Sequence, residues 1–186
     1  SVMVNAPAAV HVFDHFHVVK LMNDAIDKLR ARMYHEERDL NRRKVIKGLR
    51  WLLLCNGEDI YDNKHKERLD NALAMNRPLA QAYYLKESMR EIWSQVDKAT
   101  ASIIIDDWIR QANSTKVPLI QKVANTIAMY KYGILAWYDC NISTAKVEGI
   151  NNKIKVLKRN AYGFRDEEYF KLRLYALHER KITAFV

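Results

Sequence analysis

Residues 145–159 read Ala-Lys-Val-Glu-Gly-Ile-Asn-Asn-Lys-Ile-Lys-Val-Leu-Lys-Arg. Wound as a helix, Val147, Ile150, Ile154 and Leu157 recur at steps of three and four and form one apolar stripe. Glu148, Asn152, Lys155 and Arg159 keep the same steps on the neighbouring strip. A carboxylate therefore stands one turn before an amide and then two cations. A carboxylate that can hold a metal, followed by groups that can grip phosphate, suits chemistry on nucleic acid. Taken alone, the strip reads first as a solvated helix face with scattered charge. Gly149 tilts that reading: glycine costs roughly 1 kcal/mol inside a helix, so its place beside the acid points to close approach of something large.

Outward from this stretch the pattern is helix upon helix. Ser143 or Thr144 can cap the Glu148 helix, and Gly163, after Tyr162, can end it. Asp166 can cap a last helix in which Tyr169, Phe170, Leu172 and Leu174 pack while Lys171 and Arg173 stay charged. Upstream, Pro118 opens a long helix with Ile120, Val123, Ile127 and Ile134 inside. Ala101, Ile105, Trp108 and Ala112 line the helix before it, and Leu85, Met89, Ile92 and Val96 line one that starts at Arg77-Pro78. A short polar helix spans 64–75, and Asn56-Gly57 closes the apolar patch at 51–55. The charged segment 35–50, with Arg38, Arg42, Arg43, Lys44, Lys47 and Arg50, is either a solvated face or a phosphate-binding ridge. A long helix from about Phe16 carries Met22, Ile26, Leu29 and Met33 at core spacing. Before it, Ser1 to Asn5 reads as the tail of a helix, and the alternation from Ala9 to Asp14 reads as a short strand. The fold class is mostly α, with one strand at the amino-terminal end.

Composition bounds the partners. Hydrophobic residues make up 49% and charged residues 28% of 186, which fits a folded protein with a real core. A net charge of +9 calls for an anionic partner, nucleic acid or a membrane surface. No apolar run is long enough to span a membrane, so no membrane partner is expected. Cys55 and Cys140 lack metal-ligand spacing and read as free thiols in a reducing cytoplasm. The absence of an initiator Met at Ser1 suggests a piece of a longer chain.

Two long motifs then resemble a known family. Phe13-Asp14-His15-Phe16-His17-Val18-Val19-Lys20-Leu21-Met22-Asn23 resembles the second-aspartate motif of the DDE transposases of the ISL-three insertion-sequence family. Glu148-Gly149-Ile150-Asn151-Asn152, with Ile154-Lys155, Lys158-Arg159, Gly163-Phe164-Arg165 and Phe170, resembles its terminal-glutamate signature. The resemblance implies an incomplete RNase H-like α/β core, one strand plus flanking helices, interrupted by an all-helical insertion. Residues 1–36 would belong to the core, 37–139 to the insertion and 140–186 to the remainder of the core. Asp14 and Glu148 would be the second and third acids, binding Mg²⁺ with a first aspartate, two ions in the complete enzyme. The substrate would be double-stranded DNA, transposon ends and target, cut and joined by a homodimer. Asn152, Lys155, Lys158, Arg159 and Arg165 would face DNA, with Arg42, Arg43 and Lys44 as further contacts. No acid precedes Asp14, so these 186 residues alone are expected to be inactive.

Three other readings stay open. His11, Asp14, His15 and His17 can be read as a Zn²⁺ or Mn²⁺ site, although strand alternation separates Asp14 from His15 and His17. A non-catalytic helical domain that binds nucleic acid explains the charge. A helical bundle acting through protein partners gives Trp51, Trp93, Trp108 and Trp137 an interface instead of a core.

Overall fold

Aspartates set the starts of five of the described helices. The computed structural model describes Asn5 and residues 8–140 and 145–179, with the backbone alone at 145–148 and 177–179. The side chain of Asp14 caps α1 (His15–Glu36), and that of Asp39 caps α2 (Leu40–Lys47). Asp62 does the same for α4 (Asn63–Met75) and Asp97 for α6 (Lys98–Ser114). Each carboxylate accepts from an amide of the first turn, satisfying a donor that the helix cannot. Between these lie α3 (Arg50–Leu54), α5 (Arg77–Met89), which carries Pro78 in its first turn, and α7 (Pro118–Cys140). Short 3₁₀ turns span Gly57–Asp59 and Arg90–Trp93. The described residues end with α8 (Ala145–Asn160) and α9 (Glu167–Glu179).

The chain divides into two compact units, Ser1–Asn141 and Ile142–Val186. In the first, α7 packs along α6 and α1, and α1 also packs on α5, α2 and α3. Met22, Ile26, Leu49, Leu53, Met89 and Ile105 are wholly buried at its centre. The helix-spaced residues of α6 and α7 named from the sequence are all buried. Trp108 is buried too, its indole N–H donating to the Leu85 carbonyl at 2.8 Å. The second unit is a hairpin of α8 and α9 in which Phe164 meets Phe170 at 4.9 Å between ring centroids.

Some expectations need correction. The mostly helical class holds, but the described residues contain no strand, and Ala9 to Asp14 forms none. A strand requires a ladder partner; here the Phe13 amide donates instead to the Gly133 carbonyl of α7, at 3.0 Å. Val96 is 99% exposed, because α5 ends at Met89 and the chain has already left the helical phase that buries Ile92. Tyr169 and Leu172, expected to pack, are exposed. Ser1 to Val4, Ser143 and Thr144 lie outside the described residues.

Lys86 was invisible to periodicity, being a cation on the buried face of α5. Its side chain is 4% exposed, pairs with Glu87 at 2.7 Å and donates to the carbonyls of Leu53 and Cys55 at 3.0 and 2.5 Å. The ammonium thereby closes the end of α3, whose last carbonyls have no helical partner.

Candidate nucleic-acid interface

Asp14 stands where an extended segment turns into α1. One carboxylate oxygen accepts from the Phe16 amide at 3.1 Å, and the other lies 3.5 Å from His17 Nδ1. The side chain is 23% exposed. What holds it is the packing of the preceding residues on α7. Phe13 rests so closely on Gly133 that a Cβ there would stand 2.2 Å from the Phe13 ring and 2.9 Å from the His11 carbonyl. Tyr130 flanks the same ring at 5.0 Å and His11 at 4.4 Å. Gly133 is a positioning residue that the sequence reading missed; an isolated glycine inside a long apolar helix is the signal that marks it.

Beside Asp14, α1 and α7 enclose an apolar groove of about 520 Å³, lined by Phe13, Val18, Leu21, Ile127 and Tyr130, with the Lys20–Asp24 ion pair at its rim. The histidines of this segment diverge. His15 meets the Trp93 ring at 4.8 Å, His11 packs at a tilt on Phe13, and His17 reaches Asp14. Among the described residues no three His, Cys, Asp or Glu side chains are grouped to hold a metal ion, so the Zn²⁺ reading of this segment has no support.

Glu148 lies in the first turn of α8, and its side chain is outside what is described. Beyond it Asn152, Lys155, Lys158, Arg159 and Arg165 are exposed. Lys158 lies 4.8 Å from the Phe170 ring centroid, which ties α8 to α9 through a cation–π contact. No carboxylate among the described residues pairs with Lys155, Lys158, Arg159 or Arg165; in this hairpin only Lys171 has such partners, Glu167 and Glu168. A Cβ at Gly149 would meet nothing within 4 Å among the described residues.

The end of α8 is not made by glycine in the expected way. Tyr162 is the left-handed residue, at φ 50°, and Gly163 follows at φ 98°. The Gly163 amide donates to the Lys158 carbonyl and that of Tyr162 to Arg159, a Schellman closure. Asp166 then caps α9 through the Tyr169 amide at 3.0 Å, as its position in the sequence indicates.

The central cations are placed unequally. Arg42 and Lys44 are exposed on α2. Arg43 lies over the Tyr34 ring at 4.6 Å, with a buried Nε that has no hydrogen-bond partner. Asp27 gathers Arg30 and Arg50, at 2.6 and 3.0 Å. Burial alone would raise that carboxyl, but the bonds from the two guanidinium groups outweigh it and hold it below its ordinary value. Cys55 moves the other way, since burial pushes its thiol up and away from the reactive thiolate.

The exposed cations of α8 and of the turn after it, without carboxylate partners among the described residues, define a candidate nucleic-acid surface within the second unit, while the turn that carries Asp14 belongs to the first. Residues 1–174 match the ISL-three family described as transposase, and the chain belongs to that family. It is 38% identical over 178 residues to the transposase for insertion sequence element IS1001 of Bordetella parapertussis, a match covering 95% of this chain and 44% of the relative. The transposase for insertion sequence element IS1557 of Mycobacterium tuberculosis is 28% identical over 184 residues, covering 87% of this chain and 41% of the relative. The chain thus spans less than half the length of these curated relatives. No solved structure matches it.

Proposed function

We propose that these residues form the part of an insertion-sequence transposase that carries the second and third acids of a DDE set, Asp14 and Glu148. Family membership across 1–174, which includes both acid-bearing motifs, carries the reading. In it, residues 1–36 and 140–186 belong to an RNase H-like core, and 37–139 form a helical insertion. The substrate is double-stranded DNA, at transposon ends and target, and the acting assembly is a homodimer in the cytoplasm.

Two carboxylates are hard oxygen ligands suited to Mg²⁺. When bound, Mg²⁺ supplies activation of a water or 3′-hydroxyl and stabilisation of the leaving oxygen. The chain's own residues do the rest. Asp14 is pre-aimed by its cap bond to Phe16 and by Phe13 seated on Gly133. Asn152, Lys155 and Arg159 follow Glu148 along α8 and hold phosphate, with Lys158 and Arg165 beside them. No acid precedes Asp14 in the 186 residues, so the first aspartate must come from elsewhere, and these residues alone neither cut nor join DNA.

The test is cleavage of transposon-end duplex by a transposase chain that joins this segment to an upstream aspartate. Asp14→Asn and Glu148→Gln are each expected to abolish Mg²⁺-dependent cutting while leaving helical content and DNA affinity intact. Full cutting by either variant, or strand transfer by the 186 residues alone, overturns the assignment. The second reading, a helical domain that binds nucleic acid without chemistry, is supported by the net charge of +9 and the exposed cations of α8.

A further inference from the structure

We propose that the apolar groove between α1 and α7 seats an apolar segment of the transposase chain outside these 186 residues, the segment that brings the first aspartate to Asp14. Val18, Ile127 and Ile134 line the groove and are buried, whereas Leu21 and Tyr130 in the same lining remain 40% and 39% exposed. Phe13, which precedes Asp14, and His17, one turn after it, line the groove too. Whatever fills the groove therefore passes beside that carboxylate. Exposed apolar residues scattered singly need no partner, but a contiguous apolar lining marks a place where another surface sits.

The lining selects the chemistry of the occupant. Its lysine and its aspartate, Lys20 and Asp24, pair with each other at 2.7 Å. His17 lies 3.5 Å from Asp14. A phosphate backbone thus finds no unpaired Lys or Arg to grip, and the groove suits a row of apolar side chains from protein. Two considerations make that protein the rest of the transposase. The matched span covers 44% and 41% of the curated relatives, so those proteins carry more chain than this one matches. A first aspartate must also join Asp14 from outside these residues, and acids that share two metal ions about 4 Å apart converge on one spot. The segment that carries that aspartate has to run past Asp14, where the groove lies.

The identity of the segment rests on the transposase reading; the apolar character of its seat does not. Leu21→Cys is made in the 186-residue chain and in a transposase chain that joins this segment to the rest, and modification by a maleimide is followed by peptide mass. The introduced thiol is expected to react about tenfold more slowly, or slower still, in the complete chain. Arg110→Cys, at an exposed position of α6, is expected to react alike in both. Leu21→Asp should leave the thermal midpoint of the 186-residue chain in place, because that side chain is open there, and should lower cutting by the complete chain about tenfold. Equal reaction of the Leu21→Cys thiol in the two chains overturns the proposal, as does equal slowing at Arg110→Cys, which would be general shielding. Protection lost on dilution overturns it as well, by giving the groove to a second copy, and so does full cutting by Leu21→Asp. Asp14→Asn and Glu148→Gln should leave the protection untouched, so failure of the acid assignment is distinguishable from failure of this seat.

Discussion

The helical body up to Cys140 and the α8–α9 hairpin use their polar residues in opposite ways. In the body, aspartates cap helices, Lys86 closes α3 from inside, and Lys20, Arg30 and Arg50 each have a carboxylate partner. In the hairpin no described side chain is buried, and Lys155, Lys158 and Arg159 of α8 have no carboxylate partner among the described residues, whereas Lys171 of α9 does. Burial in the body is thus explained by the chain itself, whereas the described cations of α8 are exposed. A sequence feature that packing does not require is where a partner's chemistry should be sought.

The contrast fails if the body tolerates loss of its internal polar groups, and Lys86 is the severest probe. Lys86→Met keeps volume but leaves the Leu53 and Cys55 carbonyls and the half-buried Glu87 without their cation. Breaking a buried pair by removing one partner is expected to cost about 3 kcal/mol, read as a lower denaturant midpoint. A change below about 0.5 kcal/mol, the usual scale for surface positions, would mean that the ammonium is incidental to the body.

Gly133 comes next. Gly133→Ala gains helix propensity but drives a methyl group into the Phe13 ring and the His11 backbone. Overpacking of this kind costs about 2 kcal/mol, and the displaced segment is the one that leads into Asp14. Stability should fall, and cutting by a complete transposase should fall further than stability explains. Loss of stability with unaltered cutting would separate Asp14 from its proposed role.

These two residues also mark what sequence could not reveal. Helix period identified Met22, Ile26, Ile105, Trp108 and Ile127, because a 3.6-residue repeat of apolar side chains reports a buried face whichever helix covers it. It could not identify Lys86 or Gly133, whose roles depend on a carbonyl and a ring brought in from distant parts of the chain. The same limit produced the strand reading of residues 9–14: alternation was present, but the ladder partner that makes a strand was not. The candidate site was legible as spacing on α8 and as two ordered motifs. The relation of Asp14 to Glu148 came from family resemblance, since no local pattern connects two residues so far apart.

Asp27 gives a smaller, pH-dependent effect. Its carboxyl titrates below its ordinary value in the folded protein because of Arg30 and Arg50. Its contribution is therefore present above the unfolded value and lost as pH falls through the folded one. Asp27→Asn should cost about 1 kcal/mol at neutral pH and progressively less below about pH 4. A pH-independent difference between variant and parent would assign the effect to shape instead of charge.

The hairpin should respond in the opposite sense, and Gly149 is the sharpest place to see it. Nothing among the described residues lies within 4 Å of a Cβ at that position, so Gly149→Ala should stabilise α8 by about 1 kcal/mol or less. If the glycine is there to let DNA come close to Glu148, the same methyl group should reduce cutting by a complete transposase even as thermal stability rises. A rise in both would leave the glycine without a DNA-facing role and return that strip to a solvated helix face. A Lys155→Gln variant examined alongside it, with unchanged stability and a salt slope lower by about 0.9, separates close approach at the acid from phosphate contact one helical step further on.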